Sequence, residues 1–455
     1  MSRAIAYGTL NAVQNEIVVI SSSHESHQSD RESGERTPLG TRRRRVRRTN
    51  DCCCARCCCV LGSILIVGLV CFGLFYLWLV STVSCYSNFH PPRQVRRYSD
   101  FKNQSFTVGF DLSAGYGTAS VSFFNGTVVD VARVDSTERY NEVLNILSDP
   151  SSAHPSPPYY NCAHSFNDIS RQWARYLRKK KGQPASPEVA ALIDVLGPLK
   201  EQVDIFLVPY GTLEMAFITV PDFPAIYTED LHDAAEHVKF QLLTLPNYRS
   251  GDQAQWPVNE LNAAVTGNGI GLSSSIGGRS DPRHDNEASF RYDNDNTFLV
   301  LYTQTVLTAF TGPFGVSHGL SSHYYAAAGI RNFSMGLSQC SQGPGLQSYE
   351  CPKDSPYWEE LRQNLRAGLG SYWPRGRDLA RVISWGESAH NEVFTAVLEQ
   401  EVIAAQSDPE NRPQFYSDSP VFSPARGAAE FGKICAYSTI SFACIPDIHA
   451  RMQGW

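Results

Sequence analysis

Residues Val108–Val134 read VGFDLSAGYGTASVSFFNGTVVDVARV, and how they fold decides the architecture of the chain. A β-rich apolar run stops at an aspartate, Asp111, and a Gly/Ser/Ala loop follows. A second β-rich run, Thr118 to Phe124, ends at Asn125-Gly126, a dipeptide suited to a two-residue hairpin. The segment TVVDVARV then supplies a third strand. Strand, glycine loop, strand, tight turn, strand is an antiparallel meander. It excludes a P-loop or a Rossmann fingerprint, because both need a helix N-terminus directly after the loop.

The chain before this meander has a different character. Of the 455 residues only 18% are charged and the net charge is -6, which gives no reason to expect a nucleic-acid partner. Charge is nevertheless uneven: Arg42 to Arg45, Arg47 and Arg48 form a basic block. Val60 to Val83 then reads VLGSILIVGLVCFGLFYLWLVSTV, 24 residues without a charge. As a helix it is long enough to cross a hydrocarbon core of ~30 Å. It lies too far from the N-terminus for a secretory signal peptide, so it reads as a retained signal-anchor. The rival, a buried core helix, is rarely apolar all round for such a length. Six arginines precede the run, and Arg93, Arg96 and Arg97 follow it. The positive-inside rule therefore predicts a type II single-pass protein with its C-terminal domain luminal or extracellular. Residues 1–59 are polar, Ser/Arg-rich and expected to be disordered. They read either as a carrier of trafficking signals or as a solvated tail against anionic lipid.

Cysteine usage agrees with this topology. Six of thirteen cysteines lie in CCCARCCC, Cys52 to Cys59, beside the cytosolic end of the anchor. That placement suits S-palmitoylation and lacks zinc-ligand spacing. Cys71 falls within the span, and Cys85, Cys162, Cys340, Cys351, Cys435 and Cys444 follow it. Cys340 with Cys351 and Cys435 with Cys444 are close enough in sequence to pair in an oxidising lumen, although spacing does not fix connectivity. Sequons begin at Asn103, Asn125 and Asn332, all on the same side of the anchor.

After a linker at 84–102, the pattern alternates. Arg171 to Lys181 and Pro187 to Gln202 read as helices, VDIFLVPY and EMAFITVPDF as strands. Thr228 to Leu243 reads as a helix capped by Thr228, with Glu229 and Asp230 in its first turn. Asn259 to Gly269 is a short helix, and 273–296 a long polar loop. TFLVLYTQTVLTAFTG restarts β structure, Tyr357 to Ala367 is helical, and DLARVISWGESAHNEVFTAVLEQEVIAA is strand, glycine turn and helix. SPARGAAEFGKICAY closes the pattern as a helix of small residues. A meander followed by helices, occurring twice, predicts an α/β protein of two related lobes, roughly 103–296 and 297–455.

Five segments in order carry a resemblance over about the last 330 residues. VGFDLSAGYGTASVSFFNG is similar to the first phosphate loop of the actin-like (ribonuclease H-like) ATPase superfamily. The nearest likeness is to the nucleotide-binding domain of the seventy-kilodalton heat-shock chaperones. FITVPDFPAIYTEDLHDAAEHV resembles the strand and helix of their ITVPA segment, and VNELNAAVTGNGIGL resembles NEPTAAAxAYG. VISWGESAHNEVF resembles the adenosine loop, and SPARGAAEFGK the closing helix. The resemblance implies ATP or ADP with Mg²⁺ in a cleft between the lobes. It places Asp111 as a catalytic and metal-binding acid and Glu260 as a second catalytic acid. Ser113, Ala114, Gly115 and Tyr116, with Gly386, Glu387 and Ser388, fall at the nucleotide.

Such a site works by backbone N–H groups that cradle phosphate and carboxylates that hold a hydrated cation. The second loop of the family, roughly Asp-x-Gly-Gly-Gly-Thr, should fall in FLVLYTQTVLTAF. By this alignment Tyr302 occupies the acidic position, and Gln304, Thr305 and Val306 replace glycines. The first loop departs as well, with Ser113-Ala114-Gly115 in place of Gly-Thr-Thr. The expectation is weak or vestigial nucleotide binding with little or no hydrolysis. Two alternatives stand beside it: a non-catalytic scaffold for a protein partner, and a luminal or extracellular nucleotide phosphohydrolase.

Other chemistries fit less well. GVSHG, Gly315 to Gly319, has the spacing of a nucleophile elbow around Ser317, but Gly312-Pro313 interrupts the strand that should precede it. The histidines show no His-x-x-x-His helix pair. His232 and Glu236 read as an exposed i,i+4 pair, and the basic run Arg178 to Lys181 as a solvated helix end.

Overall fold

The opening meander forms as its sequence dictates. Strand β1 (Phe106–Asp111) is buried along its whole length and pairs antiparallel with β2 (Tyr116–Phe123), Asp111 facing Thr118. Strand β2 turns at Asn125-Gly126 into β3 (Val128–Asp135), and Asn125 at the turn is exposed. The fold is that of a computed structural model, which describes residues 67–76, 105–157, 162–246, 255–256, 258–270, 296–313, 329–340, 351–370, 378–408, 410–437 and 445–446. Within the apolar run 60–83 the described part is a helix, α1 (67–76). No helix among the described residues is long and apolar enough to cross a membrane. The tail, the linker, the Ser317 motif and the loop predicted at 273–296 lie outside the described residues, except that Asn296, the last residue of that loop, begins a strand.

Helices α2 (Glu138–Ser148), α3 (Cys162–Lys180) and α4 (Pro187–Leu207) follow β3. The strand expected at VDIFLVPY is the last part of α4. Leu196, Leu199, Val203 and Leu207 recur at helical spacing and are all buried, so packing overrides the β-branched composition of that stretch. Strand β4 (Met215–Val220) leads to α5 (Thr228–His237), β5 (Gln241–Pro246), the short β6 (Gln255–Trp256) and β7 (Val258–Asn259), and α6 (Glu260–Gly267). Helix α5 is capped by Tyr227 rather than Thr228 and ends before Lys239, which takes a left-handed φ of 70°. The apolar residues beyond that turn, expected as helix, form β5 and pair parallel with β4.

Helix α3 seats on α5 through charge. Arg175 reaches Asp230 (2.7 Å) and Asp233 (2.6 Å), Arg171 pairs with Glu229, and Lys179 holds Asp233 at 2.7 Å. Ile169, Trp173 and Leu177 lie exposed. The basic run 178–181 is therefore not simply solvated: Lys179 also pairs with Glu236, and Arg178 donates to the Pro184 carbonyl. His232 is half-buried rather than exposed.

A second sheet repeats the first. Strands β8 (Asn296–Tyr302), β9 (Leu307–Pro313) and β10 (Ile330–Asn332) form an antiparallel meander. After α7 (Leu337–Cys340) and α8 (Pro356–Gly370), β11 (Arg381–Trp385) joins parallel to β8. Beyond α9 (Glu392–Ala405), β12 (Gln414–Tyr416) pairs parallel with β11. Both sheets thus have one order and sense: β3-β2-β1-β4-β5 and β10-β9-β8-β11-β12, three antiparallel strands and then two parallel ones. Cys340 and Cys351 form a disulfide in the second half.

Helix α10 (Ser423–Tyr437) returns to the first sheet and crosses α6 at very close range. A Cβ on Gly427 would lie 1.9 Å from the Ala263 carbonyl oxygen, and one on Gly109 in β1 would lie 2.2 Å from that of Ala425. The last described strand, β13 (Ile445–Pro446), pairs antiparallel with β5. One apolar core runs from α4 and β1 through to Leu299, Leu301, Ile383 and Trp385 on one face of the second sheet. The other face, with Phe298, Val300 and Tyr302, packs on α8 and α9.

Candidate functional site

The parallel strands deliver the sequence-predicted acids to one place. Asp111 ends β1 and is fully buried, and its Oδ1 accepts from the Thr219 hydroxyl at 2.8 Å on the neighbouring β4. Glu260 is the first residue of α6, directly after the N-cap Asn259, and is also buried. Its Oε1 accepts from Ser113 Oγ at 2.7 Å and from Trp385 Nε1 at 2.9 Å. Thus Asp111, Ser113 and Glu260 come together. Thr219 and Trp385, which the sequence reading did not single out, complete the group. Thr219 lies inside the quoted FITVPDF segment and Trp385 immediately before Gly386, so proximity along the chain was the available signal.

Burial sets the protonation of this pair. It raises Asp111 well above the ordinary carboxylate range, the nearby Glu260 charge raises it further, and the Thr219 bond opposes. Burial also pushes Glu260 up to about 7, against the two hydrogen bonds from Ser113 and Trp385. Burial and the Glu260 charge therefore both favour the protonated form of Asp111, whose Oδ2 has no protein partner. A small cavity of about 10 Å³ lies beside Glu260, Trp385 and Asp222 and is lined by none of Ser113–Tyr116 or Gly386–Ser388.

The second loop corrects the sequence alignment. Asp111 faces Thr118 across its hairpin and Thr219 on its parallel neighbour. In the second sheet the same two places belong to Leu301, which faces Thr308 and Trp385. The counterpart of Asp111 is therefore Leu301, one residue earlier than Tyr302. Tyr302 points the other way: its ring stacks on Phe394 and its hydroxyl lies 2.9 Å from that of Tyr357. The counterparts of Ser113, Ala114 and Gly115 are Thr303, Gln304 and Thr305. No acid stands at the second strand end.

The loops themselves are occupied by the chain. Thr303 Oγ1 accepts from the N–H groups of Thr305 (3.1 Å) and Val306 (3.0 Å). The Gln304 N–H donates to Glu387 Oε1 at 3.1 Å. On the first loop, Tyr140 donates its hydroxyl to the Leu112 carbonyl at 2.7 Å. Gly115 takes a left-handed φ of 100°, and a Cβ there would lie 3.1 Å from Thr305 Oγ1 and 3.3 Å from Glu387 Oε1. Ala114 and Tyr116 are buried, and Arg133 lies over the Tyr116 ring at 5.5 Å. In the loop after β11, Gly386 has φ 109° and its N–H meets the Pro420 carbonyl, while the Ser388 N–H donates to the Tyr302 carbonyl. Gly115 and Glu387 thus bring the first loop and the loop after β11 side by side.

This arrangement does not fit a hydrated Mg²⁺ on Asp111. A hard cation takes charged or carbonyl oxygens together with its own waters, whereas Asp111 is fully enclosed and faces no acid from the second sheet, where Leu301 stands. Among the described residues no group of three or more His, Cys, Asp or Glu could hold a metal ion.

No family model matches the chain, and no curated protein matches it. Solved structures do. The ethanolamine utilization protein EutJ from Carboxydothermus hydrogenoformans is 11% identical with a TM-score of 0.36, covering 71% of this chain and 89% of its own. A ROK family glucokinase from Streptomyces griseus, in complex with glucose and AMPPNP, is 13% identical with a TM-score of 0.35, covering 71% and 98%. The activator of 2-hydroxyisocaproyl-CoA dehydratase from Clostridium difficile, with bound ADPNP, is 11% identical with a TM-score of 0.27, covering 73% and 94%. The fold of this chain rests on its duplicated strand order and register.

Proposed function

We propose that this chain is a membrane-anchored pseudo-ATPase with the actin-like, heat-shock-chaperone-like fold. Its cleft binds ATP or ADP weakly or vestigially and hydrolyses little or none. The observation that carries this reading is the pairing of Asp111 in one sheet with Leu301 in the other. In-line phosphoryl transfer depends on positioned charge around the phosphate and its cation, and here one acid is fully buried, which disfavours its charge, and the other place holds an apolar residue. A luminal nucleotide phosphohydrolase would need the same missing acid, so that alternative loses support. The two-lobed body then serves as a scaffold whose ligand is a protein partner. The Val60–Val83 run with its flanking arginines supports the anchor, and exposed Asn125 suits a glycan on the side away from the loops.

ATP turnover by the purified full chain, assayed with Mg²⁺, tests the reading. We expect turnover well under about 1 s⁻¹, the lower end of ordinary enzyme rates. Turnover at or above that rate, abolished by Asp111→Ala, would overturn it. Protease protection of the C-terminal domain in sealed vesicles tests the topology.

A further inference from the structure

Glu387 makes the contact that an anionic ligand would make. Its Oε1 receives the backbone N–H of Gln304 at 3.1 Å, from the second loop. Its Oε2 receives Arg133 Nη2 at 2.5 Å, from β3 in the other sheet. Gly115 of the first loop lies beside Oε1, where an added Cβ would come within 3.3 Å of it. A carboxylate held by a guanidinium and a backbone N–H is a strong, charge-assisted arrangement. Its side chain is only 9% exposed. The neighbouring N–H groups of the loop are consumed by Thr303, so Gln304 supplies the loop's free donor to this oxygen.

We infer that the Gln304 N–H and Arg133 form an anion site that Glu387 occupies in cis, and that a phosphate-class anion binds there only by displacing it. The inference deepens the nucleotide-fold reading and rests on it, because it takes the Gln304 loop as the phosphate face. Glu387 is then a built-in competitor. It also ties the two sheets together, since Arg133 and Glu387 belong to different ones. Arg133 retains a second partner, exposed Asp135 at 3.0 Å, which lowers the site's appetite for anions after Glu387 leaves. The Gln304 N–H has no such substitute.

The test uses the full chain in detergent, titrated with inorganic phosphate and with ADP. Glu387→Ala is expected to tighten binding of both by about tenfold or more, equivalent to about 1.4 kcal/mol. Glu387→Gln keeps the shape and removes the charge, so it should tighten binding by less and serves where the alanine variant does not fold. Adding Arg133→Ala to either should return affinity to the parent level. If phosphate gains through Arg133 while ADP binds no folded variant, the anion site stands and the nucleotide reading falls. If ADP binds parent and variants alike, the nucleotide reading stands and this inference is overturned. If neither probe binds any folded variant, both are overturned. A gain that survives Arg133→Ala also overturns the inference.

Discussion

Leu301 stands in the second sheet where Asp111 stands in the first: each faces a threonine across its hairpin, Thr308 and Thr118, and a parallel neighbour on the other side, Trp385 and Thr219. The substitution exchanges an acid for a buried apolar group packed with Phe310 and Trp385. Leu301→Ala should therefore cost about 2–5 kcal/mol of stability, the usual range for a core leucine. Leu301→Asp should cost more and create no ATPase, since it adds a carboxylate to an enclosed acidic pair. Urea unfolding of both variants, with an ATP assay on the second, checks this. An active Leu301→Asp enzyme would show that one lost acid was the whole defect.

The misplacement of that acid by one residue has a physical cause. Side-chain alternation fixes register only where one face of a strand is polar. All seven residues of β8 are buried, and the strand is apolar on both faces, so Leu301 and Tyr302 are equivalent to the eye. The first meander was legible because Asn125-Gly126 marks its turn and Asp111 its end. Helix α4 ran past its expected end because its buried stripe lies at helical spacing, and α5 stopped early at a left-handed Lys239 that nothing in its composition announces. Asp111, Ser113 and Glu260 were legible as neighbours. The bond between Glu387 and Arg133 was not, because it joins residues 254 positions apart.

The crossing of α6 and α10 tolerates no side chain at its centre. Gly427→Ala would put a methyl 1.9 Å from the Ala263 carbonyl oxygen, between backbones that cannot yield independently. We expect a loss of about 3 kcal/mol or more, at the upper end for overpacking. Gly370→Ala, at the exposed end of α8, is the control: nothing lies within 4 Å of a Cβ there. It should change stability by no more than about 0.5 kcal/mol. Thermal unfolding should therefore separate the two variants clearly.

Arg175 holds three carboxylates where α3 meets α5, and its side chain is 6% exposed. Arg175→Ala leaves Asp230 buried without its cation and should destabilise by about 3–5 kcal/mol. Arg175→Lys should recover only part, since one ammonium cannot serve Asp230 and Asp233 in a fork. Lys179→Ala removes a partner shared with exposed Glu236 and should cost no more than about 1 kcal/mol. Denaturation midpoints across the three variants give the order; equal losses would place the strength of the contact elsewhere.

Glu260 makes stability depend on pH in a direction opposite to that of a salt-bridged acid. Its carboxyl is pushed from 4.5 up to about 7 in the folded chain. Between those values the folded state holds a proton that the unfolded state has released, so stability falls as pH rises through that window, by up to about 3 kcal/mol. The groups around it act in the same sense. Asp111 is raised by burial and by the Glu260 charge, and Asp222 is raised to about 6 despite Arg331. Glu260→Gln keeps an oxygen for Ser113 and Trp385 while removing the titration. Its unfolding free energy should match the parent near pH 5 and exceed it at pH 8, with a shallower slope between. Were Glu260 instead held ionised by a cation or a second base, the glutamine variant would be the less stable one at pH 8, and urea titrations at the two pH values separate these outcomes.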